Sequence, residues 1–189
     1  VEFYAMARIR GLILRQDLPP ELGLDEASTR RLCHAVLDKL VELHSLDVQA
    51  SGLAELGRGQ GYVRRQVEGW SRRYRAALTP GASPAEGLMD WLARRMPAES
   101  PGRMVHGDFR LDNVVLDPRD PCRVIGVLDW EMSTVGDPLL DLGSSLAYWV
   151  DPEDDLVFQM MRRQPTQAPG MLRRAEVWER WGQQSGRPV

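Results

Sequence analysis

Three short apolar runs, each bounded by a polar residue, constrain this chain more than anything else in it. Met104-Val105 leads into His106, Gly107 and Asp108; Val114-Val115-Leu116 follows Asn113; Val124 to Leu128 ends on Asp129. Apolar runs this short, set off by turn residues, read as buried strands rather than helices. Asp117 to Pro121 supplies the turn residues that fold the second run back on the third as a hairpin. Asp108, Asn113 and Asp129 are thereby delivered to strand ends, where loops on a rigid scaffold carry chemistry.

Those three residue types suit one reaction. A carboxylate at a loop can accept or orient the proton of a hydroxyl nucleophile. An amide oxygen and a second carboxylate are hard oxygen ligands of the kind magnesium takes, alongside substrate phosphates. Asp108 as base with Asn113 and Asp129 on magnesium fits transfer of a phosphoryl group to an alcohol. His106 is expected to hold the loop by hydrogen bonds, with a histidine base as the rival assignment.

Around this centre the pattern is mainly helical. Residues 2 to 9 read as a strand. Asp25 is a fitting N-cap for a helix over 26 to 46, with Leu32, Val36, Leu40 and Leu43 on one face and His44 beside them as a core or rim residue. A helix over 61 to 78 sets Val63, Val67, Trp70, Tyr74 and Leu78 on a core face and Arg64, Arg65, Arg72, Arg73 and Arg75 on the other. Ser83-Pro84-Ala85-Glu86 reads as a capping box opening a helix over 84 to 96, with Leu88, Trp91, Leu92 and Met96 available for burial. Asp137-Pro138 starts a buried helix to 149. After the acidic run Asp151 to Asp155 come a helix to 163 and a last one over 172 to 185. Gly57, Gly59 and Gly61 mark a flexible turn, since no strand precedes them and no Gly-Lys-Ser/Thr follows.

Composition closes several alternatives. At 43% hydrophobic residues the chain can bury a core. A net charge of −3 gives no basic tract that demands nucleic acid. No apolar run approaches the roughly 18 residues that span a bilayer. Cys33 and Cys122 stand alone, without metal or redox spacing, which suits reduced thiols in a cytoplasm. Of 24 basic residues only Lys39 is a lysine.

His106-x-Asp108-x4-Asn113 has the spacing of the protein-kinase catalytic loop, and Asp129 stands where those enzymes carry a metal-binding aspartate after a hairpin. In detail HGDFRLDN and LDWEMSTVGDPLLDLG resemble the aminoglycoside phosphotransferase and choline kinase-like family of small-molecule kinases. The look is nearest to its members found alone in bacteria or fused to acyl-CoA dehydrogenases. Gly107 replaces the arginine typical of protein kinases, and Trp130-Glu131 replaces Phe-Gly.

The resemblance implies an α+β, protein-kinase-like fold: a mostly helical C-terminal lobe with a short catalytic β-hairpin. It implies ATP and Mg2+, with Asp108 as the base, Asn113 and Asp129 on the metal, and Tyr4, Ala5, Met6, Ala7 and Arg8 at the adenine. Asp137 and Asp141 would brace the loop and cap a helix; Glu131 is undecided. The expected partner is a small-molecule hydroxyl acceptor (an aminoglycoside, an amino alcohol or a hydroxyacyl compound), with no nucleic acid and no membrane. Residues 1 to 11 resemble the hinge between kinase lobes, and 12 to 189 a C-terminal lobe that is incomplete at its end. The Gly-rich loop and strand lysine of the N-terminal lobe are absent from these residues, so the expectation is a kinase site with little activity by itself. A non-catalytic, pseudokinase-like binding or regulatory module is the alternative. A metal-dependent hydrolase is a third reading, which would need a tighter His/Asp cluster than three scattered histidines provide.

Overall fold

The computed structural model describes residues 7–187. Among these residues six α-helices and two small sheets surround one core. Helix α1, Glu26–Ser45, is its axis: Leu32, Cys33, Val36, Leu37 and Leu40 are buried along one face, as the helical spacing requires. Asp25 caps it by accepting the Ser28 N–H at 2.8 Å.

Strands β2, Val114–Asp117, and β3, Asp120–Val127, form the expected antiparallel hairpin, which packs against α1. Every residue of β2 is buried, whereas β3 is only partly covered. Helix α4, Pro138–Ala147, buries Leu142, and α6, Arg174–Ser185, packs on α1 through Val177 and Trp181. Both cysteines are free; burial pushes the Cys33 thiol up to about 11, so it is an inert core group. Among the described residues no helix is long and apolar enough to cross a membrane.

Four expectations change. Residues 2–6 of the first predicted strand lie outside the described residues, and 7 to 9 form no strand. The segment runs extended to a single bridge, in which Leu12 and Leu116 exchange N–H···O bonds of 2.9 and 2.8 Å. Its side chains touch the hairpin without a continuous ladder. A second sheet was not foreseen: β1, Arg103–Val105, pairs antiparallel with β4, Thr134–Gly136. Three-residue strands leave too little alternation to read.

Helix α2 spans Tyr62–Ala77, but of its predicted core face only Val63 is buried; Trp70, Tyr74 and Leu78 are exposed. Helix α3, Glu86–Arg94, packs on α2 and also faces outward with Leu88, Trp91 and Leu92. The apolar stripes are present, but no element covers them among the described residues. The capping box does not form either. Ala85 is the N-cap with φ of 50° and no side-chain cap bond, and the Ser83 carbonyl instead accepts the Tyr74 hydroxyl.

Candidate active site

Strand β1 buries Met104 and Val105 and delivers His106 into the interior, fully buried. The ring's bonds fix its tautomer. Nε2–H donates to the Leu128 carbonyl at 2.8 Å, and Nδ1 accepts the Asp108 N–H at 3.2 Å. Both nitrogens are engaged, so His106 holds the loop and has none left for a substrate proton, which removes the rival base. Trp130 tilts over this ring with centroids 4.8 Å apart, which gives the tryptophan at this position a packing role.

Gly107 has φ of +85°, and a Cβ there would sit 2.8 Å from the Met132 carbonyl oxygen. A side chain, including the arginine of protein kinases, has no room at this crossing. The two N–H groups of the turn, His106 and Gly107, donate to the two oxygens of Asp141, each at 2.8 Å. His44 Nε2–H adds a 3.0 Å bond to the same carboxylate, and its Nδ1 accepts the Trp181 indole N–H at 3.0 Å. A buried chain of hydrogen bonds thus runs from α6 through α1 and α4 into the loop. Burial pushes the Asp141 carboxyl up, but the bonds from His44, His106 and Gly107 outweigh it and hold the group below its ordinary value. The expected brace is therefore present at Asp141. Asp137 caps α4 by accepting the Leu139 N–H at 2.9 Å, and His44 is a satisfied core residue as expected.

Asp108 and Asn113 meet directly. Asn113 Nδ2 donates to the Asp108 carbonyl at 2.9 Å and to Asp108 Oδ2 at 3.2 Å. Its amide nitrogen is thereby committed inward, and its Oδ1 is left as a ligand oxygen. Asp129 is tied to the same place by the next backbone link, a 2.8 Å bond from the Leu128 N–H to the Asn113 carbonyl. Asp129 is exposed and has φ of 66°. A left-handed backbone at a residue other than glycine costs about 1–2 kcal/mol, least for Asp and Asn, and such strain gathers at functional sites. Glu131 is exposed on the following turn with no hydrogen-bond or ion-pair partner among the described residues. Of the predicted adenine segment, Tyr4, Ala5 and Met6 lie outside the described residues. Ala7 and Arg8 are exposed ahead of Leu12.

The donor set fits a hard divalent cation. Asn113 and Asp129 offer an amide oxygen and a carboxylate, the oxygen-only pattern of magnesium. No cluster of three His, Cys, Asp or Glu side chains forms among the described residues, which removes the support a hydrolase of the metal-cage type would need.

Sequence reasoning missed the walls of the site. Arg110 lies 3.2 Å from Asp108 Oδ2 and stacks over Tyr148 at 4.7 Å. Its Nε is 3.3 Å from Asp112 Oδ1, too poorly aligned for a hydrogen bond, and both atoms are buried without one. A cavity of about 230 Å³ opens on Asp108 between Tyr62, Trp70, Met132, Leu140 and Tyr148. These residues come from two stretches some sixty positions apart, 62 to 70 and 132 to 148, and carry no local signal. A separate cavity, about 490 Å³ beside Gly57, Gly59 and Tyr62, is not lined by Asp108.

Comparison with known proteins gives this geometry its setting. Acyl-CoA dehydrogenase family member 11 of Gallus gallus is 41% identical over 152 residues, 80% of this chain but 19% of that protein. The chain thus spans about a fifth of the length of such relatives. A crystal structure of a candidate aminoglycoside phosphotransferase from Ralstonia eutropha JMP134 superposes with a TM-score of 0.77 at 32% identity, covering 96% of this chain and 54% of that one. An aminoglycoside-3'-phosphotransferase of type VIII shares the fold, with a TM-score of 0.60 at 22% identity over 95% of this chain and 61% of that one. The α+β, protein-kinase-like fold implied by the resemblance is the one found. The family model described as "Phosphotransferase enzyme family" matches residues 1–178, nearly the whole chain, with the Asp108 loop and the Asp129 turn inside it, and the chain belongs to that family.

Proposed function

We propose that these residues form the catalytic lobe of an ATP-dependent small-molecule kinase that moves the γ-phosphoryl group to a hydroxyl. The observation that carries this reading is the joining of Asp108 to Asn113 by a side-chain bond and of Asn113 to the residue before Asp129 by a backbone bond, with Asp108 itself lining a cavity. The acceptor hydroxyl meets the free oxygen of Asp108, which takes or orients its proton while the hydroxyl oxygen bonds to the γ-phosphorus and the bond to the β-phosphate oxygen breaks, releasing ADP. Magnesium on Asn113 and Asp129 would neutralise charge on the phosphates. Ala7 and Arg8, with the residues ahead of them, are assigned to the adenine.

The cavity over Asp108 favours an uncharged, partly apolar acceptor. Tyr62, Trp70, Met132, Leu140 and Tyr148 give it aromatic and aliphatic wall beside the uncharged polar Gln66, Thr134 and Ser144, and Asp141 is the other carboxylate lining it, with both oxygens engaged by N–H donors. The acidic run does not draw cations: Asp151 and Asp154 face Arg174, and Glu153 faces Arg173. Among the three expected acceptor classes this supports a hydroxyacyl compound over an aminoglycoside or amino alcohol.

A second reading, a non-catalytic binding module, is favoured by the position of Lys39. The single lysine is on α1 and pairs with Glu42, so it holds no phosphate at Asp108. Electrostatic hold on the phosphates is a large part of such catalysis. The 189 residues by themselves are therefore expected to form ADP no faster than a blank in a coupled assay across a panel of alcohols. Turnover above the blank that falls about 100-fold or more in Asp108→Asn would keep the kinase site but refute the expected inactivity.

A further inference from the structure

A second cavity, about 520 Å³, lies on the other side of Tyr148 from the Asp108 cavity. Arg110, Arg162 and Arg163 line it, and no carboxylate does. Its remaining wall is apolar, made chiefly by Val157, Phe158 and Met161 of the short helix α5, Leu156–Met161. These three side chains are 63%, 50% and 74% exposed, an unusual amount of apolar surface for one turn and a half of helix. Two of the buried donors left without a hydrogen-bond partner, Arg110 Nε and Arg162 Nε, belong to arginines of this lining. Arg162 also reaches Asp17 at 2.7 Å, whereas Arg163 makes no ion pair among the described residues.

We infer that this cavity binds a small amphipathic carboxylate, its hydrocarbon part against α5 and its acid group on the arginines. Charge decides the class. Arg110 and Arg162 already face carboxylates outside the lining (Asp108, Asp112 and Asp17), so the exposed Arg163 is the lining guanidinium without an ion pair among the described residues; a cation would meet its charge, and an uncharged hydrocarbon would leave it without a counter-charge. The binding does not depend on phosphotransfer, but it is coupled to Asp108, because Arg110 serves both places. It is 3.2 Å from Asp108 Oδ2 and also lines the second cavity. An acid bound there draws on the guanidinium that otherwise pairs with Asp108, and neutralising Asp108 frees that guanidinium for the acid.

Calorimetric titration of the full chain with sodium octanoate, without nucleotide, tests this. Octanoate is expected to bind one per chain, about tenfold or more tighter than 1-octanol or octylamine, with no binding of inorganic phosphate alone. Arg163→Glu, an exposed position, is expected to weaken octanoate about tenfold while leaving the unfolding midpoint in place. Phe158→Ser is expected to weaken it as well. Asp108→Asn is expected to tighten it several-fold. Equal affinity for octanol and octanoate, or unchanged octanoate binding in Arg163→Glu, overturns the site. Unchanged affinity in Asp108→Asn overturns the coupling. None of these readings uses phosphotransfer, so a failed kinase assay leaves them standing and their failure leaves the kinase reading standing.

Discussion

Asp141 is 2% exposed, and its two oxygens accept three N–H donors from two other segments. Removing such a group leaves those donors buried and unpaired. Asp141→Asn, which puts an amide N–H against one of them, should cost about 2–4 kcal/mol in urea unfolding. The pH dependence has a definite sign. The folded carboxyl is held below its ordinary 3.8, so it contributes stability in full above that value and loses it as pH falls through the folded value. Unfolding midpoints should fall less steeply below about pH 4 in Asp141→Asn than in the parent. At this scale the meeting of Asp108 and Asn113 was legible because their spacing is local. Gly107 was legible as a difference from protein kinases but not as a crossing with Met132. His44 was legible as a core residue, but its bonds to Asp141 and Trp181 and the stacking of Arg110 on Tyr148 were not, because these contacts come from distant parts of the chain.

Helices α1, α4 and α6 follow their periodicity, since each apolar face has a partner: α1 and α6 pack on each other, and α4 contacts β1. Helices α2 and α3 show the limit of the same signal. A 3.6-residue stripe states which face is apolar, not whether anything covers it. The stripe of α3 leaves Leu88 59% and Trp91 51% exposed, so replacing both by serine should change unfolding free energy by no more than about 1 kcal/mol. Trp181→Ala, by contrast, should cost about 3–5 kcal/mol, because that ring is fully buried and its indole N–H bonds His44. A large loss from the α3 pair in equilibrium unfolding would mean that a surface described as open is covered in solution. The basic face of α2 is also partly engaged: Arg75 pairs with Glu86 and Arg73 stacks on Trp70, which leaves fewer free cations than the sequence suggests.

At the scale of the whole chain the fold is that of the phosphotransferase family, and under the proposed reading Asp108 serves the hydroxyl while the single lysine, Lys39, is held by Glu42 on α1. The fold class was legible in one stretch of about forty residues because that stretch nucleates both sheets and the start of α4. The small β1–β4 sheet and the uncovered faces were not, because they depend on pairings too short, or on partners too distant, for periodicity to carry. The central claim is that Asn113 and Asp129 hold a divalent cation beside Asp108, and manganese tests it without requiring turnover. In amide NMR spectra of the chain with ADP, added Mn2+ should broaden the signals of residues 107 to 114 and 128 to 132 first, with the effect reduced about tenfold or more in Asp129→Asn. Broadening centred elsewhere, or unchanged in Asp129→Asn, would contradict it.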